Sequence, residues 1–228
     1  MKNFFTILIL VTFPICNYCQ DTTMNKDWPN LNKYAKENSL LTNTTNSVVF
    51  IGDSITEFWK VNNEAFFTSN PFIDRGISGQ TTPQMLLRFR QDVVELKPSV
   101  VVILAGINDI AENTGPITID EIMENIISMV ELAKTNKIKV VLCTVLPSNH
   151  FYWNPKMEPA DKVITLNQLI FNYANKNKIT CVDYYAAMVD DAKGLPKKYS
   201  EDGVHPNLEG YKVMEGLVEK GILTYIKK

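Results

Sequence analysis

Four short polar blocks, far apart along the chain, contain the residue types that acyl transfer through a serine requires. In chain order they read Gly-Asp-Ser-Ile-Thr at 52–56, Ile-Ser-Gly-Gln-Thr at 77–81, Gly-Ile-Asn-Asp at 106–109 and Asp-Gly-Val-His-Pro-Asn at 202–207. A serine hydroxyl becomes a good nucleophile when a nearby base accepts its proton, and the oxyanion that follows needs hydrogen-bond donors. Together the blocks supply a serine, a histidine, a carboxylate and oxyanion donors.

Ser54 and His205 are the candidate nucleophile and base. Ser54 lies three residues after a predicted strand, at a strand-to-helix turn where backbone N–H groups point outward. His205 comes three residues after Asp202, which can hold the imidazole in one tautomer and stabilise the imidazolium. Taken singly, the two positions also fit a helix N-cap serine and an ordinary surface loop.

Gly79 and Asn108 are the candidate oxyanion donors, together with the backbone N–H of Ser54. A glycine lets the backbone approach a ligand closely, and an asparagine amide is a neutral donor. Either residue alone also fits a turn. The neighbouring carboxylates, Asp53 and Asp109, are expected to support the loops rather than to react.

Short apolar runs rich in β-branched residues alternate with helical patterns from residue 47 onward. The predicted strands are 48–51, 72–75, 100–104, 139–144 and 180–182, and the predicted helices are 82–96, 119–136, 160–177 and 207–226. This alternation predicts an α/β domain with a central parallel sheet and helices on both faces. Sites in such sheets form at the carboxyl ends of the strands, and the first three blocks each follow a strand.

The joint presence and order of the blocks resembles the SGNH/GDSL hydrolase family over about residues 46–226. The family's serine, glycine, asparagine and histidine correspond to Ser54, Gly79, Asn108 and His205, and Asp202 completes the triad. The resemblance implies a flavodoxin-like three-layer α/β/α fold and hydrolysis of esters or thioesters without a cofactor. One departure is that the first block reads Gly-Asp-Ser-Ile rather than Gly-Asp-Ser-Leu, which exchanges one apolar residue for another.

The first 20 residues are predicted to be a secretory signal peptide. Lys2 precedes an apolar run at 4–15, and the chain turns polar from Asp21. The run is shorter than the ~20 residues that a membrane-spanning helix needs, so we expect an exported protein, periplasmic or secreted, with no membrane span in the mature chain. Lipid attachment at Cys16 or Cys19 is an alternative that the large residues before each cysteine oppose.

The mature chain is predicted to comprise an arm with a short helix at 21–46 and a hydrolase domain at 47–228. The full 228-residue chain has a formal net charge of −2 and no long basic run, so nucleic acid is not an expected partner. The chain has two histidines and no cluster of metal ligands, so no metal site is expected. Cys143 and Cys181 are expected to be buried free thiols, with a disulfide as the alternative.

The loop at 147–159 follows the fourth predicted strand and should overhang Ser54. Its candidate substrate-binding residues are His150, Tyr152 and Trp153, which could stack on a sugar or line an acyl pocket, or only pack the loop. The predicted substrate is a small-molecule or glycan ester with a short acyl group, most simply acetyl on carbohydrate. The alternatives are a lysophospholipase-like or platelet-activating-factor-acetylhydrolase-like lipid acylhydrolase and an acyltransferase that uses the same residues.

Overall fold

Five short strands form one parallel sheet in the order β2-β1-β3-β4-β5. The strands are β1 (Val48–Gly52), β2 (Phe72–Gly76), β3 (Val100–Ile103), β4 (Lys139–Cys143) and β5 (Thr180–Val182). Each agrees with its prediction to within one residue. The order is the doubly wound, flavodoxin-like one, in which the chain reverses direction across the sheet between β1 and β3. The expected fold is therefore confirmed.

The computed structural model describes residues 27–226, so the predicted signal peptide lies outside the described residues. The helices are α1 (Asn32–Leu40), α2 (Ser54–Asn62), α3 (Glu64–Thr68), α4 (Thr82–Phe89), α5 (Ile107–Ile110), α6 (Ile119–Thr135), α7 (Ala160–Asn177), α8 (Tyr184–Met188) and α9 (Leu208–Ile222). On one face of the sheet, α4 packs against α6 and α6 against α7, while α9 packs against α2 and α8 on the other. Among these described helices, none is long and apolar enough to cross a membrane.

The centre of the sheet explains the continuous apolar runs of the sequence. Every residue of β1 and β3 is buried, because helices cover both faces of the sheet. Phe50 of β1 lies in an aromatic cluster, with its ring centroid 5.7 Å from that of Trp59 and 5.4 Å from that of Phe67. This core fixes the ends of the strands, and hence the loops that carry the polar blocks.

The predicted helices differ from the structure in three ways. The last helix, expected at 207–226, spans Leu208–Ile222, because residues 223–225 form turns. The helix expected at 82–96 ends at Phe89 and continues as a π-helical turn, Arg90–Val94. Val93 and Val94, two consecutive residues of this turn, are both buried. The helices α3, α5 and α8 were not predicted, since four or five residues are too few to show a helical period.

The two cysteines of the described chain are both free. Cys143 is buried at the end of β4, and Cys181 of β5 is half-buried. Burial raises the pKa of the Cys181 thiol to about 11, so that thiol stays protonated and unreactive at neutral pH.

Candidate active site

Ser54, His205 and Asp202 lie in one hydrogen-bonded row. Ser54 is the first residue of α2, and its Oγ is 2.9 Å from Nε2 of His205. On the other side of the ring, Nδ1 of His205 is 2.7 Å from Oδ2 of Asp202. This is the geometry in which an imidazole can accept a serine proton while a carboxylate orients it. The fold therefore brings together residues that are 151 positions apart in the sequence.

The Asp202 carboxylate also organises the loop that carries the histidine. Its Oδ1 accepts the backbone N–H groups of Val204 at 2.9 Å and of His205 at 2.8 Å. Partial burial acts to raise the pKa of Asp202, but the hydrogen bonds from the His205 ring and these two N–H groups outweigh it and leave the pKa below its usual value. Asp202 is therefore a carboxylate at neutral pH.

The nucleophile helix is held at its first turn from two sides. Asp53 caps α2 by accepting the N–H of Ile55 at 2.9 Å. Burial raises the pKa of Asp53 to about 7, opposed by this N–H and by the charge of the nearby His205. From α9, the Tyr211 hydroxyl donates to the Ile55 carbonyl at 2.8 Å, which ties the helix after the histidine loop to the helix of Ser54.

Gly79 and Asn108 belong to two loops that hydrogen-bond to one another. The Asn108 Nδ2 donates to the Gln80 carbonyl at 3.1 Å, and Asn113 Nδ2 donates to Asn108 Oδ1 at 2.9 Å. The second contact fixes which way the Asn108 amide faces, and an amide carries a second N–H for a ligand. Gly79 has a φ of +76°, and a side chain there would meet no atom within 4 Å, so its backbone borders open space.

A buried arginine connects the serine loop to the glycine loop. Arg88 of α4 donates to the Gly52 carbonyl at 2.9 Å and to the Gln80 side chain at 2.5 Å. It also forms an ion pair with Asp92 at 3.0 Å, with both side chains almost fully buried. Because Gln80 accepts from Asn108 as well, this network positions the candidate donors relative to Ser54.

Two further carboxylates hold the same loops. Asp109 accepts the N–H of Thr82 at 2.9 Å and its hydroxyl at 2.6 Å, which joins the loop after β3 to the start of α4. Burial raises the pKa of Asp109 to about 6, opposed by these bonds. Glu57 of α2 accepts the N–H of Ser78 at 2.7 Å and its hydroxyl at 2.6 Å. The contacts of Asp53 and Asp109 agree with the structural roles expected for them.

The structure places His150 against the loop that carries Asp202 and His205. A side chain on Gly203, between Asp202 and His205, would lie 2.6 Å from Cε1 of His150, so this ring packs on the triad loop. Tyr152 and Trp153 are exposed and contact each other, with ring centroids 4.8 Å apart. Trp153 also stacks on the buried ring of Phe151, which packs the loop down.

The sequence analysis missed four residues near the site. Phe58 is 38% exposed, and its ring centroid lies 5.3 Å from that of His205. The sequence does contain a signal for Phe58: it comes four residues after Ser54, so both residues lie on one face of α2. The other three are the supporting residues Gln80, Arg88 and Asn113. Gln80 follows Gly79 directly and Asn113 closely follows Asn108, whereas a buried arginine leaves no pattern in the sequence.

The chain belongs to the GDSL-like lipase/acylhydrolase family, whose model matches residues 50–213. A proposed acylhydrolase from Bacteroides fragilis is 50% identical in sequence and superposes with a TM-score of 0.87, covering 89% of this chain and 100% of that one. A GDSL-like lipase from Bacteroides thetaiotaomicron is 48% identical with a TM-score of 0.84, covering 86% and 98%. The enzyme is thus a GDSL-type acylhydrolase.

A curated relative matches over a shorter region. An uncharacterised lipoprotein of Bacillus subtilis is 35% identical over 78 residues. The match spans 33% of this chain and 32% of the lipoprotein.

Proposed function

We propose that this acylhydrolase is a serine esterase in which Ser54 attacks the ester carbonyl, His205 is the base and Asp202 orients the base. The observation that carries the proposal is the 2.9 Å contact between Ser54 Oγ and His205 Nε2, backed by the 2.7 Å contact between the ring and Asp202. The Ser54 proton moves to Nε2 as the bond from Oγ to the carbonyl carbon forms.

The negative oxygen of the tetrahedral intermediate is held by the N–H groups of Ser54 and Gly79 and by the Asn108 amide. Collapse of the intermediate breaks the bond to the alcohol oxygen, which takes the proton from His205. Water then attacks the acyl-serine and gives a proton to His205. The bond from Ser54 Oγ to the carbonyl carbon breaks, Oγ takes the proton back from His205, and the acid leaves. No redox step or cofactor enters this sequence.

The substrate class that we propose is a short-chain acyl ester, most simply acetyl, on a carbohydrate. A lipid acylhydrolase is the main alternative, and it usually needs an apolar surface to bind its acyl chain. The loop that follows β4, residues 144–159, contains no helix, so this stretch of the described chain forms no amphipathic helical lid beside the histidine loop. The exposed aromatic residues of that loop, Tyr152 and Trp153, are available to stack on a sugar ring.

Hydrolysis of p-nitrophenyl esters from acetate to palmitate, with wild type beside Ser54→Ala, tests both parts. We expect the highest kcat/KM with acetate and loss of activity in the variant. A preference for long chains would move the substrate to lipids, and equal rates in both proteins would remove Ser54 as the nucleophile. Acyl transfer to an added sugar faster than to water would indicate an acyltransferase.

We also propose that the protein is exported, a proposal that rests on the apolar segment at 4–15 and its polar continuation from Asp21. Cell fractionation followed by mass measurement of the purified mature protein tests it. We expect a chain that has lost its N-terminal segment. A full-length chain in the cytoplasm would contradict the proposal.

A further inference from the structure

The segment before the family match packs against the second polar block. Residues 27–46, called the N-terminal arm below, precede the region matched by the family model. The Gln80 side chain donates to the Pro29 carbonyl at 2.7 Å, and the Gln84 side chain donates to the Trp28 carbonyl at 2.8 Å. At Trp28 and Pro29 the arm is therefore held through its backbone carbonyls, and the Trp28 side chain remains 42% exposed.

Between the arm and the second block lies a cleft of about 400 Å³. This volume is within the range of small-ligand sites, roughly 300–1,000 Å³. Residues from both sides line it, among them Trp28, Asn30, Ser78, Gly79, Asn113 and Thr114. One of them, Gly79, is a candidate oxyanion donor, and Asn113 holds the amide of a second donor, Asn108. The cleft therefore borders the candidate oxyanion site.

The cleft combines one aromatic face with polar side chains. Trp28 is 42% exposed, so a large part of the indole can contact a ligand. The opposing wall carries hydroxyl and amide groups, including Thr114 and Asn113. An indole face with hydroxyl and amide partners suits a sugar ring, which has C–H faces and a rim of hydroxyl groups. A long acyl chain would instead place apolar surface against this polar wall.

The size of the acyl group decides which part of the substrate can reach this cleft. An acetyl group has a single carbon beyond the carbonyl, so it stays next to Ser54. Only the alcohol part of an acetyl ester extends far enough to contact Trp28. We infer that the cleft between Trp28 and Gly79 binds the sugar ring of an O-acetylated carbohydrate on its alcohol side, an inference that rests on the proposed esterase function.

The test compares acetate release from three acetyl esters: ethyl acetate, a mono-O-acetylated methyl glucoside and partially acetylated xylotriose, whose sugar rings keep free hydroxyl groups. Wild type is measured beside Trp28→Ala, Trp28→Phe and Phe171→Ala. Phe171 is a matched control because it is 45% exposed and lies on α7, beside the β5 edge of the sheet. Thermal unfolding of each variant shows whether it is folded as wild type is.

We expect wild type to hydrolyse at least one acetylated sugar with a higher kcat/KM than ethyl acetate. Trp28→Ala should lower that value roughly 10- to 100-fold, mainly through KM, as expected for losing one aromatic contact. Its rate on ethyl acetate should stay within about twofold, Trp28→Phe should recover part of the loss, and Phe171→Ala should resemble wild type.

Three results would overturn the inference: acetylated sugars no better than ethyl acetate, no selective loss in Trp28→Ala, or an equal loss on all three esters. The last result would make the arm a purely structural element. Failure of the proposed function gives a different pattern, in which Ser54→Ala hydrolyses ethyl acetate as fast as wild type does.

Discussion

Replacing Arg88 by methionine is expected to destabilise the fold strongly, because it leaves a buried carboxylate without its partner. The Arg88 and Asp92 side chains are 0% and 1% exposed and are joined at 3.0 Å. Removing one partner of such a pair typically costs about 3–5 kcal/mol. Since a domain is usually stable by only about 5–15 kcal/mol, this is a large share of the free energy of unfolding.

A second substitution separates the cost of the lone charge from the cost of lost hydrogen bonds. In Arg88→Met/Asp92→Asn the new amide is neutral and can still accept the Asn38 amide, which donates to Asp92 at 2.8 Å. What remains is the loss of the bonds to Gly52 and Gln80, at about 1 kcal/mol each. The double variant should therefore be about 1–3 kcal/mol more stable than Arg88→Met alone.

Urea unfolding followed by circular dichroism measures these free energies. Lys212→Met is the matched control, since Lys212 pairs with Glu209 at 2.8 Å on the exposed surface and such pairs contribute less than about 1 kcal/mol. In the folded double variant, kcat should fall more than KM changes, because the link from Arg88 to the oxyanion loops is gone. A loss below about 1 kcal/mol in Arg88→Met, or a double variant less stable than the single one, would refute the reasoning.

Three further substitutions test the site. Asn108→Ala removes a proposed oxyanion donor and should lower kcat about 10²–10³-fold on p-nitrophenyl acetate. Asp202→Asn should lower kcat by roughly 10³–10⁴, as expected when the histidine is held in the wrong tautomer. Asp53→Asn should alter the pH dependence of stability instead. Because burial raises the pKa of Asp53 to about 7, its contribution to stability is full below the unfolded-state pKa near 4 and is lost as pH rises through about 7. The asparagine variant should therefore gain stability relative to wild type between about pH 4 and 7 in urea unfolding.

Each of these expectations has a definite contrary result. If the kcat of Asn108→Ala stays within threefold of the wild-type value, the Asn108 amide is not an oxyanion donor. A normal kcat in Asp202→Asn would show that His205 acts as the base without the Asp202 carboxylate. Unfolding curves for Asp53→Asn that parallel wild type at every pH would show that Asp53 has no raised pKa.

The strands and the four polar blocks could be predicted because their signals are local. A buried parallel strand is a continuous β-branched run, so Val48–Gly52 and Val100–Ile103 were found to within one residue. Each of β1, β2 and β3 is followed by a block, and the parallel sheet brings the ends of these three strands to one edge. The pairing of Ser54 with His205 then follows from topology rather than from any pattern that links the two residues.

The supporting residues could not be found in this way because their partners are distant. In the sequence, Arg88 is one charged residue of a predicted amphipathic helix. In the structure it is fully buried and joins the carboxyl end of β1 to the loop after β2. Trp28 was expected only in an arm on the outside of the domain, whereas it lines the cleft at Gly79. Burial of a charge and exposure of an aromatic ring both depend on packing between segments, which single-sequence periodicity does not contain.

Labelling with a fluorophosphonate tests the role of Ser54 most directly, because only an activated serine reacts with it. Wild type, Ser54→Ala and His205→Ala would be treated alike, digested and mapped by mass spectrometry. We predict one phosphonylated peptide that contains Ser54, no label in Ser54→Ala and much slower labelling in His205→Ala. Label on another residue, or equal labelling of wild type and Ser54→Ala, would contradict the assignment of Ser54 as the nucleophile.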